Sequence, residues 1–257
     1  MKLKRVLITG ASEGIGRAFS KRLAVEGYTV TAVARNEARL TSLLSELNAL
    51  TPDPRASQHS FFVADLSTEV GRTQMTQQLQ TQHYELLINN AGYGTYAPFP
   101  GTELSHFQKM TSLNCDALVA LSHAFLKNSV RGDALINVAS VLSFLPMPAN
   151  ALYAATKAFV NSFSESLWYQ QKERGVYVMN LCPGATRTNF HTRSGGDDSE
   201  VPDFVSQTPE EVVDCAFKAL VKRSRPTVIS GWKNRLMIAL SRVLPRKLLV
   251  SIMGKAR

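Results

Sequence analysis

A chain of 257 residues with 44% hydrophobic and 19% charged side chains holds enough apolar material for one large α/β core, with two small domains as the weaker option. Its formal net charge of +9 is uneven: eleven Lys/Arg and no Asp/Glu lie between Lys218 and Arg257, leaving 18 basic against 20 acidic residues elsewhere. The basic stretch suits an anionic partner such as a membrane surface, but no interleaved aromatic or nucleic-acid motif accompanies it, which speaks against nucleic acid.

Cys115, Cys182 and Cys215 are odd in number and widely spaced, so neither a disulfide framework nor a metal site is expected, and a reducing, cytoplasmic setting is. No run of 18 apolar residues exists, and the opening MKLKRVLITG lacks the apolar stretch of a secretory signal. No internal repeat or low-complexity linker interrupts the chain.

Residues 3–9 read as a strand, followed by Gly10, Ala11, Ser12, Glu13, Gly14, Ile15 and Gly16 and then a helix from Arg17 to Glu26 closed by Gly27. Glycines at 10, 14 and 16 let a backbone turn tightly and approach a pyrophosphate at a helix N-terminus; a purely structural turn is the competing reading. Tyr28–Ala34 forms a second strand, with Arg35 and Asn36 directly after it. An arginine at this point accommodates a 2′-phosphate, whereas an acid binds a ribose hydroxyl, so NADP(H) is favoured over NAD(H). Glu13 is an awkward neighbour for that phosphate. A helix over Glu37–Leu50 follows, then a third strand, His59–Ala64, ending in Asp65 and Leu66, where the carboxylate either meets an adenine amine or caps a helix starting near Ser67.

Tyr84–Ile88 makes a fourth strand running into Asn89, Asn90, Ala91 and Gly92, at the sheet end where ligands bind. A long helix is predicted over Thr102–Lys127, interrupted by Asn114 and Asp116; a mid-helix asparagine bends the helix or holds a water. A fifth strand, Asp133–Ala139, feeds Ser140. The helix Leu152–Arg174 carries Tyr153 and Lys157 on one face, one turn apart. A phenol has a pKa of about 10, and a neighbouring ammonium favours the phenolate, so the pair suits proton transfer. Taken alone it also reads as a surface Tyr beside a solvated Lys. A sixth strand, Val176–Leu181, leads to Cys182, Pro183, Gly184, Ala185, Thr186, Arg187 and Thr188. Residues 189–207 are polar with paired glycines and read as a lid, in which His191 is a surface residue rather than a ligand. Thr208, Pro209 and Glu211 form a capping box opening a helix to Lys222, and Pro226–Ser230 is a seventh strand. The remainder holds two apolar segments broken at Pro245, suited to packing on the domain, a subunit contact or a membrane surface.

Strands alternating with helices indicate an open parallel sheet covered on both faces. With TGASEGIG (9–16), Asp65, NNAG (89–92), Asn114, Ser140, Tyr153 with Lys157, and Pro183-Gly184 followed by Thr186 and Thr188, the sequence resembles the short-chain dehydrogenase/reductase family from residue 3 to about 231.

The resemblance implies a Rossmann-type, doubly wound, seven-stranded sheet in residues 1–231, the lid included, with 232–257 as a basic amphipathic extension. It implies a homodimer or homotetramer that transfers a hydride between NADP(H) and a carbonyl or alcohol carbon. In that pattern Tyr153 is the general acid/base, Ser140 bonds the substrate oxygen, Lys157 lowers the Tyr153 pKa and holds the nicotinamide ribose, and Asn114 supports a water. The cofactor is expected along Gly10, Ser12, Glu13, Gly14, Ile15, Gly16, Arg35, Asn36, Asp65, Leu66, Asn90, Ala91, Gly92, Tyr153, Lys157, Pro183, Gly184, Thr186 and Thr188. Tyr93, Tyr96, Phe99, Phe144, Leu145 and Met147 suggest an apolar substrate, with Pro146 and Pro148 as a stiff pocket rim. Two other readings stand beside this one: a peripheral membrane reductase of lipid-like ketones, and a non-catalytic dinucleotide-binding sensor or scaffold.

Overall fold

A computed structural model describes residues 4–51, 58–195 and 206–255. Most of the short apolar runs become strands buried on both faces, as expected where helices cover a parallel sheet. They are β1 (Lys4–Thr9), β2 (Tyr28–Ala34), β3 (Ser60–Val63), β4 (Leu86–Asn89), β5 (Ala134–Val138), β6 (Tyr177–Cys182) and β7 (Thr227–Ile229). Neighbours pair in parallel in the order β3-β2-β1-β4-β5-β6-β7. The chain therefore reverses direction across the sheet between β1 and β4, and such a switch point leaves a crevice outside the carboxyl ends of the strands. The register Ile8 to Ile88 brings Gly10 and Asn90 abreast there.

The helices are α1 (Gly14–Val25), α2 (Glu37–Leu50), α3 (Glu69–Thr81), α4 (Leu104–Thr111), α5 (Leu118–Asn128), α6 (Ala151–Gln171), α7 (Phe190–Arg193), α8 (Pro209–Lys222), α9 (Trp232–Ser241) and α10 (Arg246–Met253). Alternate strand residues face opposite cores. Val6 and Ile8 join Phe19, Leu40 and Val212 under α1, α2 and α8. Leu7 and Leu87 join Met75, Leu121 and Phe125 under α3 and α5.

Three expectations are corrected by the structure. The helix expected from Arg17 starts at Gly14, so the last part of the glycine turn is itself the first helical turn. The long helix expected over 102–127 divides into α4 and α5 around a π-helical stretch, Ser112–Ala117, where Asn114 bonds across to Tyr93 and Thr156. The cap of α3 is Thr68, which accepts from the Gly71 N–H, whereas Asp65 accepts from Ser67 and shapes the turn before it.

The capping box forms as expected, with Thr208 and Glu211 exchanging hydrogen bonds. Of the expected lid, α7 is described; residues 196–205 and the His191 side chain lie outside the described residues. Beyond β7 the tail folds back on its own domain, burying Ile238 and Leu249 against Val141 and Leu145.

Candidate active site

The glycine turn is built on the end of β1. Gly10 (φ +64) and Gly14 (φ +53) adopt the left-handed backbone that side chains other than glycine rarely take. Thr9 Oγ1 accepts from both the Asn90 and Ala91 N–H groups at 3.0 Å, and Asn90 Nδ2 donates to the carbonyls of Thr9 (3.1 Å) and Gly10 (3.3 Å). Together these bonds clamp the turn to the NNAG segment. A Cβ at Gly14 would lie 3.0 Å from the Thr188 methyl, so Thr188 closes the turn from the other side. Glu13 makes no capping bond to α1, which leaves its side chain clear of the first N–H groups of the helix.

Around this turn the charges differ from the expectation. Glu13 does not stand free against a prospective phosphate: Arg39 of α2 holds one carboxylate oxygen at 2.6 Å and Arg193 of α7 holds the other. Ser12, Glu13, Arg17, Arg39 and Asn189 line a cavity of about 420 Å³. Arg35 is exposed at the end of β2 and makes no hydrogen bond or ion pair among the described residues. Asn36 Oδ1 caps α2 through the Arg39 N–H at 2.9 Å. Burial works against ionisation of Asp65, but its two bonds from Ser67, helped by Arg35, hold the carboxyl below its ordinary value. Leu66 is buried in the second core, and Ile15 packs against the first.

A second cluster forms where α6 passes the ends of β5 and β6. Tyr153 and Lys157 are both buried, with 7% and 4% exposure. Burial pushes the Tyr153 phenol up, and a hydrogen bond with Ser140 pulls it partly back. Burial also pulls the Lys157 ammonium down to about 8. Lys157 Nζ donates to the Val138 carbonyl at 2.8 Å and lies 5.6 Å from the centre of the Tyr153 ring, so the two meet ammonium to ring face. Cys115 and Cys182 nearby are pushed by burial to about 11 and about 12, which keeps both thiols protonated at neutral pH.

Asn114 is almost fully buried. Its Oδ1 accepts from the Tyr93 N–H at 3.1 Å, and its Nδ2 donates to the Tyr93 carbonyl at 2.9 Å and to Thr156 Oγ1 at 3.0 Å. The loop after β4 fits closely against these groups as glycine: a Cβ at Gly92 would sit 3.0 Å from Asn114 Oδ1 and 3.4 Å from Lys157 Nζ and would press on both side chains. Ser140 Oγ accepts from the Leu142 N–H, and the Pro183 carbonyl accepts from Val141, tying the loops after β5 and β6 together. Phe107, Met110, Tyr93, Leu142 and Phe190 form an apolar wall around Tyr153, the Phe190 ring 5.5 Å from its own. Phe144 and Leu145, expected beside the substrate, instead join the cluster that receives the C-terminal tail.

The expected residues thus gather into two neighbouring groups along one crevice. Ser140, Tyr153, Lys157, Asn114 and Gly92 form one; Gly10, Gly14, Gly16, Asn90, Ala91 and Thr188 form the other, with Ser12 and Glu13 on its rim. Thr186 is turned back, its hydroxyl donating to the Gly184 carbonyl and its backbone bridging to Gln207. A Cβ at Gly184 would strike Asn234, so that glycine admits the start of α9. Arg39, Thr156, Phe190 and Arg193 escaped the sequence reading, and Thr9 entered it only within TGASEGIG, with no role of its own. Only Thr9, as the last residue of a strand before glycine, and Thr156, beside Tyr153 on its helix, carry a local signal. Among the described residues no three His, Cys, Asp or Glu side chains gather as a metal site.

A family model described as short chain dehydrogenase matches residues 4–199. Sulfoacetaldehyde reductase 2 of Chromohalobacter salexigens is 33% identical over 224 residues, covering 82% of this chain and 86% of the relative. A 7beta-hydroxysteroid dehydrogenase of Mediterraneibacter gnavus is 30% identical over 234 residues, covering 89% and 86%. The solved structure of a short-chain dehydrogenase from Sphingobium yanoikuyae in complex with NADPH superposes with a TM-score of 0.84 at 30% identity, over 99% of this chain and 98% of that one. Switch-point crevice, seven-stranded parallel sheet and likeness along most of its length agree: the chain belongs to the short-chain dehydrogenase family, and it is an oxidoreductase.

Proposed function

We propose that the protein reduces an apolar ketone or aldehyde, or oxidises the corresponding alcohol, with NADP(H) as its cofactor. One observation carries the reading: Tyr153, Ser140 and Lys157 share a buried cluster in which the lysine has, among the described residues, a carbonyl and two protonated thiols for neighbours rather than a carboxylate. A buried ammonium without a counter-ion is unfavourable for folding alone and fits a group that answers a charge formed in turnover.

The residues present fit a dinucleotide. A Cβ at Gly10, Gly14 or Gly16 would crowd Asn90, Ala91, Thr188 or the Gly10 carbonyl, so glycine lets the turn close tightly at the start of α1, the backbone form that receives a pyrophosphate. When bound, the nicotinamide supplies or accepts the hydride. Tyr153, kept protonated by burial, gives its proton to the substrate oxygen, to which the Ser140 hydroxyl also donates. The Lys157 ammonium offsets the phenolate that remains. Asn114 holds the Tyr93 backbone in place and supports the water through which the proton returns. Arg35, exposed at the end of β2, meets the 2′-phosphate; the NADPH complex of the Sphingobium relative supports NADP(H) as the cofactor. The wall of Phe107, Met110, Tyr93, Leu142 and Phe190 favours an apolar substrate body.

The test is NADPH oxidation with a panel of apolar ketones and aldehydes, run on the wild-type chain and on Tyr153→Phe. Turnover disappears in the variant while NADPH binding, followed by nucleotide fluorescence, persists. Undiminished turnover in Tyr153→Phe overturns the mechanism.

A further inference from the structure

The last two helices expose far more apolar surface than their length warrants. In residues 232–255 only Asn234, Ile238, Ser241 and Leu249 are buried, with Met253 half-buried. Nine of the nineteen exposed large apolar side chains of the described residues lie here, among them Trp232 (64% exposed), Leu236, Leu240, Val243, Leu248 and Ile252. The same segment carries six Lys/Arg and no Asp or Glu. Isolated surface leucines are ordinary, but a concentration of this kind marks a contact surface.

We infer that the outer face of α9 and α10 docks on an anionic lipid surface. The charge pattern chooses this occupant. A two-fold contact between copies of this chain sets the face against itself, opposing cations to cations with no carboxylate to relieve them. An anionic bilayer offers phosphates to the Lys and Arg side chains and hydrocarbon to the leucines between them. Among the described residues no helix is long and apolar enough to cross a membrane, so the helices lie along the surface.

Their inner face gives the docking a consequence. Ile238 and Leu249 pack on Val141 and Leu145, in the loop that begins at Ser140, and Asn234 anchors α9 through the Ser230 carbonyl at 2.7 Å. Docking therefore brings the loop beside the proposed substrate site to the lipid boundary, where an apolar carbonyl compound partitions. That consequence rests on the proposed reductase reading; the docking itself does not.

Flotation of the full chain tests the inference. One set of vesicles holds equal parts of phosphatidylglycerol and phosphatidylcholine, the other phosphatidylcholine alone. The protein floats with the anionic vesicles, salt weakens the association, and Trp232 fluorescence shifts to the blue. The variants Arg242→Glu/Arg246→Glu/Lys247→Glu and Leu240→Glu/Leu248→Glu each lower the bound fraction by at least about tenfold. Their circular dichroism and their turnover of a water-soluble carbonyl compound stay at wild-type values. Absence of flotation, or equal binding to both vesicle types, overturns the inference. So does a dimer that Leu240→Glu dissociates in a chain that binds neither vesicle. Failure of the reductase reading shows instead as no turnover in any variant, with flotation intact.

Discussion

The two ends of the sheet each hold a buried charge, and they treat it in opposite ways. At the amino end Asp133 is 2% exposed; it accepts from the Val130 N–H at 2.8 Å and faces His83 at 3.5 Å. Arg223 and Lys4 line the same 260 Å³ cavity, with Tyr28 and Glu85 between them. Burial holds the Asp133 carboxyl above its ordinary value, with the Val130 bond and His83 offsetting part of the rise. At the carboxyl end Lys157 is as deeply buried, yet among the described residues no carboxylate answers it, and burial pulls its pKa down to about 8. A buried ion with its partners in place serves the fold. One held without a counter-ion suits a charge that comes and goes in turnover, the role proposed for Lys157.

This contrast can be broken in four places, of decreasing effect. Tyr153→Phe removes the proton donor and lowers kcat by about 10²- to 10⁴-fold, the usual worth of general acid catalysis, with the thermal midpoint little changed. Arg35→Asp lowers the NADPH-over-NADH ratio of kcat/KM by about ten- to a hundredfold, the range of one charge-assisted hydrogen bond; an unchanged ratio removes Arg35 from the 2′-phosphate site. For pH the sign follows from direction. Lys157 is lowered, so it is charged below about 8 and neutral above, while the raised Tyr153 keeps its proton throughout. The kcat/KM for reduction, which reports groups of the free enzyme, is therefore flat below that value and falls about tenfold per pH unit above it. A profile flat to pH 10 separates Lys157 from the chemistry. The smallest effect on turnover belongs to the amino end: Asp133→Ala leaves the Val130 N–H unpaired and lowers stability by about 1–3 kcal/mol in urea unfolding, with kcat unchanged.

What the sequence disclosed and what it hid divide along a physical line. Gly10, Gly14 and the NNAG run were legible because their residue types answer local backbone demands, a left-handed turn or a missing Cβ. Most strands were legible because burial on both faces leaves an uninterrupted apolar run. Arg39 and Arg193 were not, since nothing local distinguishes them from solvated charges; the fold brings α2 and α7 to opposite sides of Glu13. The sequence therefore shows an acid opposing a phosphate, and the structure shows an acid already neutralised. The tail is a further case. Its apolar pattern suits a domain contact, a subunit contact or a membrane equally, and only the packing of Ile238 and Leu249 assigns one face to the domain.

Between Thr111 and Leu118 the helix spends one residue more than a regular turn needs. Each residue of an α-helix turns the chain beyond it by about 100°. Deleting any one position of the stretch Ser112–Ala117 other than Asn114 would restore regular winding with both flanks near their present places, because the extra residue is absorbed locally, but would re-aim Asn114 by up to that angle, away from Tyr93 and Thr156. Part of the site is thus written in a count rather than in an identity, and it can be lost by a change that leaves every one of its named residues in the chain.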